Sequence, residues 1–347
     1  MSDEALAAVK ARLKAYDGPR MRIMEVCGSH TAAIVKNGIP GLLSEQIELV
    51  AGPGCPVCVT PTDYIDRLIA LSQEENTCVV TFGDLLRVPG SAGTLMQAKN
   101  AGGCAEMVYS PFDILTMAQA ESATTFIFAA VGFETTTPVY ALLLDQIVEA
   151  HIENIRFLTA LKTMPPVIDA LCAGGADVQG LIAPGHVAVV IGSDAFKPLA
   201  EAYQLPFGVA GFSGMHLLYA IDGIVRARGR GTVMNFYPEA VTPTGNVKAQ
   251  DLVAKYFEPG DALWRGIGVI PGSGLFLKPA VQCFDMGSQA LQHDHPMNAA
   301  CRCGEVLRGA IAPQDCPLFK TACTPLHPQG ACMVSAEGNC LSVYNQN

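Results

Sequence analysis

The chain has 347 residues, half of them hydrophobic and 16% charged, with a formal net charge of −10. That balance describes a compact protein of two or three domains around a large core and excludes a disordered chain. It also argues against nucleic-acid binding, since the only basic run is the short "RARGRG" at 226–231, which reads as a solvated loop.

The opening segment "MSDEALAAVKARLKAY" is charged and sets Leu6, Val9 and Leu13 at helical spacing, so an amphipathic helix is expected and not a signal peptide. No window of about 18 uninterrupted apolar residues follows, and no transmembrane helix is predicted. The chain has 13 cysteines and no secretion signal. The expected setting is therefore reducing and cytoplasmic, where clustered thiols serve metal binding or redox chemistry more often than structural disulfides.

Four short apolar runs follow: "RIMEV" (22–26), "IELVAG" (47–52), "CVVTF" (78–82) and "AEMVYS" (105–110). Helical patterns separate them, such as "TDYIDRLIALSQEE", which Thr62 or Asp63 is placed to cap. Four more runs repeat the plan: "TFIFAAV" (125–131), "IRFLTA" (155–160), "GLIA" (180–183) and "FGVAG" (207–211). Apolar strands alternating with helices predict an α/β fold with buried parallel sheets. After about residue 230 the chain holds more Pro and Gly. The expected organisation is two similar α/β domains facing across a cleft (21–120 and 121–230), with a third, mixed domain built from 1–20 and 231–347.

In parallel α/β folds, sites gather at the carboxyl ends of strands. Five chemically loaded loops fall there: "CGSHT", "GPGCPVCVTP", "GFETTTP", "PGHV" and "GFSGMH". In the first, Cys27 and His30 stand three residues apart, as a metal site, a nucleophile with its base, or a turn. The "CPVC" of Cys55 and Cys58 has dithiol spacing at an expected helix start, where the dipole favours thiolate; metal ligation and a structural role are the alternatives. Glu134 follows an apolar strand, where a carboxylate needs a partner, and it reads as functional. Cys78, Cys104, Cys172 and Cys283 read as ordinary buried cysteines, and "HDH" at 293–295 as a solvated loop.

The tail carries Cys301, Cys303, Cys316, Cys323, Cys332 and Cys340, more than packing requires. It has no C-x-x-C pair of the kind zinc prefers. The spacing of Cys301, Cys316, Cys323 and Cys340 suits an iron–sulfur cluster held from several loops, with structural zinc as the alternative. Cys303 and Cys332 are then left over and could pair as a disulfide.

Taken together and in order, "CGSHT", "GPGCPVCVTP", "GFETTTP", "PGHV" and the tail cysteines resemble the HypD family of hydrogenase maturation factors, over essentially the whole chain. The resemblance implies a scaffold, formed with the partner HypC, on which the Fe(CN)2CO group of [NiFe]-hydrogenase is assembled. It further implies cyanide delivery by HypE, itself paired with HypF, and hand-over through HypC to the hydrogenase large-subunit precursor. Carried onto this chain, it makes Cys27 the iron ligand, with His30 beside it, and Cys55 and Cys58 the redox dithiol. Glu134, Thr135, Thr136 and His186 would line the same cleft. Cys301, Cys316, Cys323 and Cys340 would hold a [4Fe-4S] cluster. Two rival readings are an iron–sulfur-dependent thiol–disulfide reductase acting on a partner protein, and a zinc-stapled interaction module.

Overall fold

The computed structural model describes residues 3–345. Eleven strands are present among them: β1 (Met21–Glu25), β2 (Ile47–Ala51), β3 (Thr77–Thr81), β4 (Ala105–Met107), β5 (Thr125–Gly132), β6 (Ile155–Lys162), β7 (Gly180–Pro184), β8 (Phe207–Ala210), β9 (Val233–Asn235), β10 (Phe257–Trp264) and β11 (Gly268–Leu277). All eight apolar runs singled out in the sequence are strands. Most are buried on both faces, as in the uninterrupted burial of Leu181, Ile182 and Ala183 in β7, and read as continuous apolar stretches for that reason; in the border strand β4 only Ala105 is buried.

The strands form two sheets. One has the order β2-β1-β7-β8-β9 and is parallel throughout; the other has the order β10-β11-β6-β5-β3-β4. In the second sheet β4, β3, β5 and β6 are parallel, while β11 pairs antiparallel with both β6 and β10. The architecture is α/β with one parallel and one mixed sheet.

The sheets do not divide the chain at residue 120. The chain leaves the first sheet after β2, lays down β3 to β6 in the second, and returns at β7. β1 pairs with β7, with Met24 opposite Leu181. The segment after 230 is shared as well, since β9 extends the first sheet while β10 and β11 border the second. Nor does the N-terminal helix Asp3–Lys14 belong with the tail. Its Val9 and Leu13 join the core made by Met21, Ile23, Leu217 and Ile221, and Arg12 forms a bidentate pair with Asp222 at 3.0 and 2.7 Å. Burial of an apolar face next to β1 outweighs any affinity of that helix for the tail.

Helix Thr62–Ser72 forms where its apolar periodicity predicted, but it is not capped by its own residues. Pro61 stands at the N-cap without a side-chain acceptor. Thr62 N–H instead donates to Asp294 Oδ1 at 3.2 Å. Thr62 Oγ1 accepts from His295 N–H, and an Asp63 oxygen from His293 N–H, both at 2.7 Å. The "HDH" segment is therefore a remote cap, although both imidazoles face solvent. The arginines of 226–231 are exposed, Arg226 at the end of helix Gly214–Arg226 and the others in the turn beyond it. No helix of the described residues is long and apolar enough to cross a membrane.

Candidate functional site

Four of the five loaded loops, those after β1, β2, β7 and β8, share the carboxyl edge of the parallel sheet. The "GFETT" loop follows β5 and belongs to the other. Adjacent parallel strands put the first two loops side by side. Gly28 N–H donates to Gly54 O at 2.9 Å, and Gly52 N–H to Glu25 O at 2.7 Å. Gly54 has to be glycine here, because a Cβ would stand 2.2 Å from Cys27 N.

Cys27 stands two residues beyond β1 and is the N-cap of helix Gly28–Lys36. Its carbonyl accepts from His30 N–H and Thr31 N–H at 2.8 and 3.1 Å. Its own N–H donates to Glu25 Oε2 at 2.9 Å, and Thr31 Oγ1 donates to the other oxygen of that carboxyl. Glu25 thus splints the loop from inside the core, and burial pushes its pKa up to about 8. Burial pushes the Cys27 thiol up to about 12, opposed by the N–H groups of His30 and Ser29. Such a thiol keeps its proton at neutral pH until a cation displaces it.

His30 is fully buried. Its Nε2 lies 3.0 Å from Ala210 O. A carbonyl can only accept, so Nε2 carries the hydrogen and Nδ1 is a bare lone pair, buried and without a partner. Burial lowers the His30 pKa to about 4, which keeps the ring neutral. The ring packs on Phe212 at 4.8 Å between centroids, and His186 packs on the same Phe212 at 4.0 Å. The β1, β7 and β8 loops therefore meet around one aromatic ring.

The "CPVC" segment sits in a turn four residues short of helix Thr62–Ser72, not at the helix start. Cys55 and Cys58 form a disulfide, and both are buried. Cys58 Sγ lies 4.0 Å from Ala331 O. The next residue, Cys332, has its Sγ 2.8 Å from Cys303 Sγ, a contact between free thiols. All six tail cysteines line one small cavity, together with Val306, Phe319, Gly330 and Met333. No charged side chain is among these. Gly330 keeps the cavity open, since a Cβ there would stand 2.9 Å from Cys301 Sγ. Among the described residues no three His, Cys, Asp or Glu side chains are spaced to hold a single metal ion.

The tail closes over the Cys27 loop. Ser29 Oγ donates to Glu337 Oε1 at 2.5 Å, Gly28 packs against the Glu337 main chain, and Asn339 Nδ2 donates to Gly52 O at 3.3 Å. Neither Glu25 nor Glu337 stood out in the sequence. Glu25 had a readable signal, a carboxylate inside the apolar run "RIMEV", whereas Glu337 had none.

Other expected residues lie apart. Glu134 caps helix Met164–Ala173, its Oε1 accepting from Met164 N–H at 2.8 Å, while its buried Oε2 has no partner. Burial raises its pKa to about 7. Thr135 is half-buried, and Thr136 Oγ1 donates to Phe133 O at 3.3 Å. No hydrogen bond among the described residues links these three to Cys27. They adjoin the site through Phe133 and Met164, which share a core with Cys55, Cys58 and Trp264. The four cysteines taken as ordinary differ from that reading. Cys78 and Cys104 are bonded across β3 and the start of β4, with Cys104 exposed; Cys172 is half-buried and Cys283 exposed.

A family model described as "Hydrogenase formation hypA family" (HypD) matches residues 2–347. The chain belongs to the HypD family. It is 40% identical to the hydrogenase maturation factor HypD of Azotobacter vinelandii, over 96% of this chain and 92% of that protein. It is also 40% identical to the Escherichia coli K12 protein of the same name, over 93% and 88% of the two chains. The Rhizobium leguminosarum bv. viciae factor is 42% identical, over 92% and 86%. The residues matched by the family model include every loop described above and the cysteine-lined cavity.

Proposed function

We propose that this HypD-family chain is a redox-competent scaffold for assembling the Fe(CN)2CO centre of [NiFe]-hydrogenase, working with HypC. One observation carries the reading. The Cys27 loop, the Cys55–Cys58 turn and the six-cysteine cavity are contiguous, joined by the Gly28–Gly54 hydrogen bond and the Cys58–Ala331 contact.

Cys27 offers one soft thiolate to the cargo iron, and a cysteine of HypC offers a second. The incoming cation displaces the thiol proton, and the bare Nδ1 of His30 is an acceptor with no other use in its surroundings. Cyanide arrives from HypE, with HypF behind it. The completed group leaves through HypC for the hydrogenase large-subunit precursor.

The sulfur-lined cavity suits a [4Fe-4S] group in donor type, and Cys301, Cys316, Cys323 and Cys340 would hold it. When bound, it would supply single electrons. Cys303 and Cys332 are spaced as a thiol pair on the path from the cavity to Cys58, and Cys55 and Cys58 take or give an electron pair by opening or closing their disulfide. This chemistry calls for a reducing setting such as the cytoplasm.

The test is the infrared spectrum of the anaerobically purified complex with HypC. The parent should show cyanide and carbonyl stretches that Cys27→Ala lacks. Stretches of full strength in Cys27→Ala would remove Cys27 as the iron ligand.

A further inference from the structure

The turn between β10 and β11 carries a buried charge with no role in the chemistry above. Arg265 is only 6% exposed. Its main-chain N–H donates to Val59 O at 2.9 Å and its Nε to Thr60 O at 2.5 Å. Its terminal nitrogens both donate to Pro89 O, at 3.3 and 3.2 Å. The carboxylate paired with it is Asp294, 4.0 Å from Nε, and those carboxylate oxygens already accept from Thr62 N–H and Gly266 N–H at 3.2 and 2.9 Å. Carbonyls take the guanidinium's hydrogen bonds, so its positive charge is incompletely neutralised.

The turn that carries that charge lies between the segments of the two sulfur sites. Val59 and Thr60 directly follow Cys58. On the other side, Gly266 packs backbone to backbone against Gly304, the neighbour of Cys303; a Cβ on Gly304 would lie 2.4 Å from Gly266 O. A neutral amide could bracket the same carbonyls. A guanidinium that never loses its proton is costly to bury, which directs attention to what the charge does.

We propose that Arg265 is a positioning residue of the redox turn, its fixed positive charge favouring the reduced Cys55–Cys58 dithiol over the disulfide. This rests on the reading of Cys55 and Cys58 as redox-active. In the step, a reducing dithiol gives two electrons and one proton to the Cys55–Cys58 bond, releases its second proton to solvent and leaves as its own disulfide, so that one opened sulfur is a thiol and the other a thiolate. The opened pair carries thiolate character that the closed pair lacks, and a nearby cation stabilises only the former.

The experiment equilibrates the full chain in mixtures of reduced and oxidised dithiothreitol at pH 8, alkylates it, and quantifies modified Cys55 and Cys58 by peptide mass. Arg265→Gln should need about tenfold more reducing mixtures for half-reduction, about 30 mV for a two-electron couple. Arg265→Lys keeps the charge and should stay within about twofold of the parent. Asp294→Asn keeps one carbonyl acceptor, removes the counter-charge, and should shift the midpoint the other way. A parent-like midpoint in Arg265→Gln, or equal shifts in the Gln and Lys variants, overturns the proposal. Should Arg265→Gln fail to fold, a parent-like midpoint in Asp294→Asn overturns it instead. If the parent pair stays oxidised across the whole range, the redox reading of the turn falls too; a normal parent titration without a charge effect removes Arg265 alone.

Discussion

Glu134 ties pH to stability through a single buried carboxyl. Its pKa rises from 4.5 to about 7 on folding, mainly through desolvation, opposed by hydrogen bonds from Met164 N–H and its own main chain. Between those two values the folded chain binds more protons than the unfolded chain, so stability falls as pH rises. Linkage at 1.36 kcal/mol per pH unit makes the penalty about 0.8 kcal/mol at pH 5 and about 3.3 kcal/mol at pH 8. Glu134→Gln keeps a carbonyl oxygen for Met164 and cannot ionise. Relative to the parent it should gain about 2.5 kcal/mol of stability between pH 5 and pH 8. Urea unfolding of both proteins at the two pH values measures this directly, because the other titrating groups cancel in the difference. Parallel pH dependences of parent and variant would refute the account of a carboxyl raised by burial.

Gly54→Ala drives a methyl against Cys27 N and should cost about 2–3 kcal/mol, read as a melting temperature lowered by several degrees and faster alkylation of Cys27. In the parent, Cys27 should react with iodoacetamide at pH 8 at least about a hundredfold more slowly than in the urea-unfolded chain, because burial holds the thiol near 12; peptide mapping checks this, and equal rates would count against it. Gly330→Val fills the space beside Cys301 Sγ and should lower iron and sulfide content per chain after anaerobic reconstitution, with the melting temperature nearly unchanged; full cluster content would place the metal elsewhere.

Strands β1 to β8 were legible because each carries a short apolar run, which burial on both faces lengthens in β5, β6, β7 and β8. Their partners were not. Pairing β1 with β7 depends on which surfaces meet once the intervening chain has folded, and local pattern holds no record of that. β9 has only three residues, and β10 and β11 are interrupted by Pro259, Gly260, Pro271 and Gly272, which read as loop until they lie antiparallel on a sheet border. Among site residues, the reactive types at strand ends were visible, and Cys27, His30, Cys55 and Cys58 fall beside one another. Glu25 and Glu337 were missed because their meaning lies in what they touch. Asp294 was passed over because a cap supplied from far along the chain leaves no spacing to recognise.

Ser29 and Glu337, which share a hydrogen bond, are separated by 308 positions. β1, β2 and the Cys55–Cys58 turn leave the ribosome early, yet β1 gains its inner neighbour only with β7, and the Cys27 loop is closed over only when residues 337–339 arrive. A nascent or truncated chain therefore presents these thiols to solvent without the burial that holds Cys27 protonated. The buried, protonated state of Cys27 thus belongs to the folded sequence as far as Glu337, not to the segment that carries the thiol.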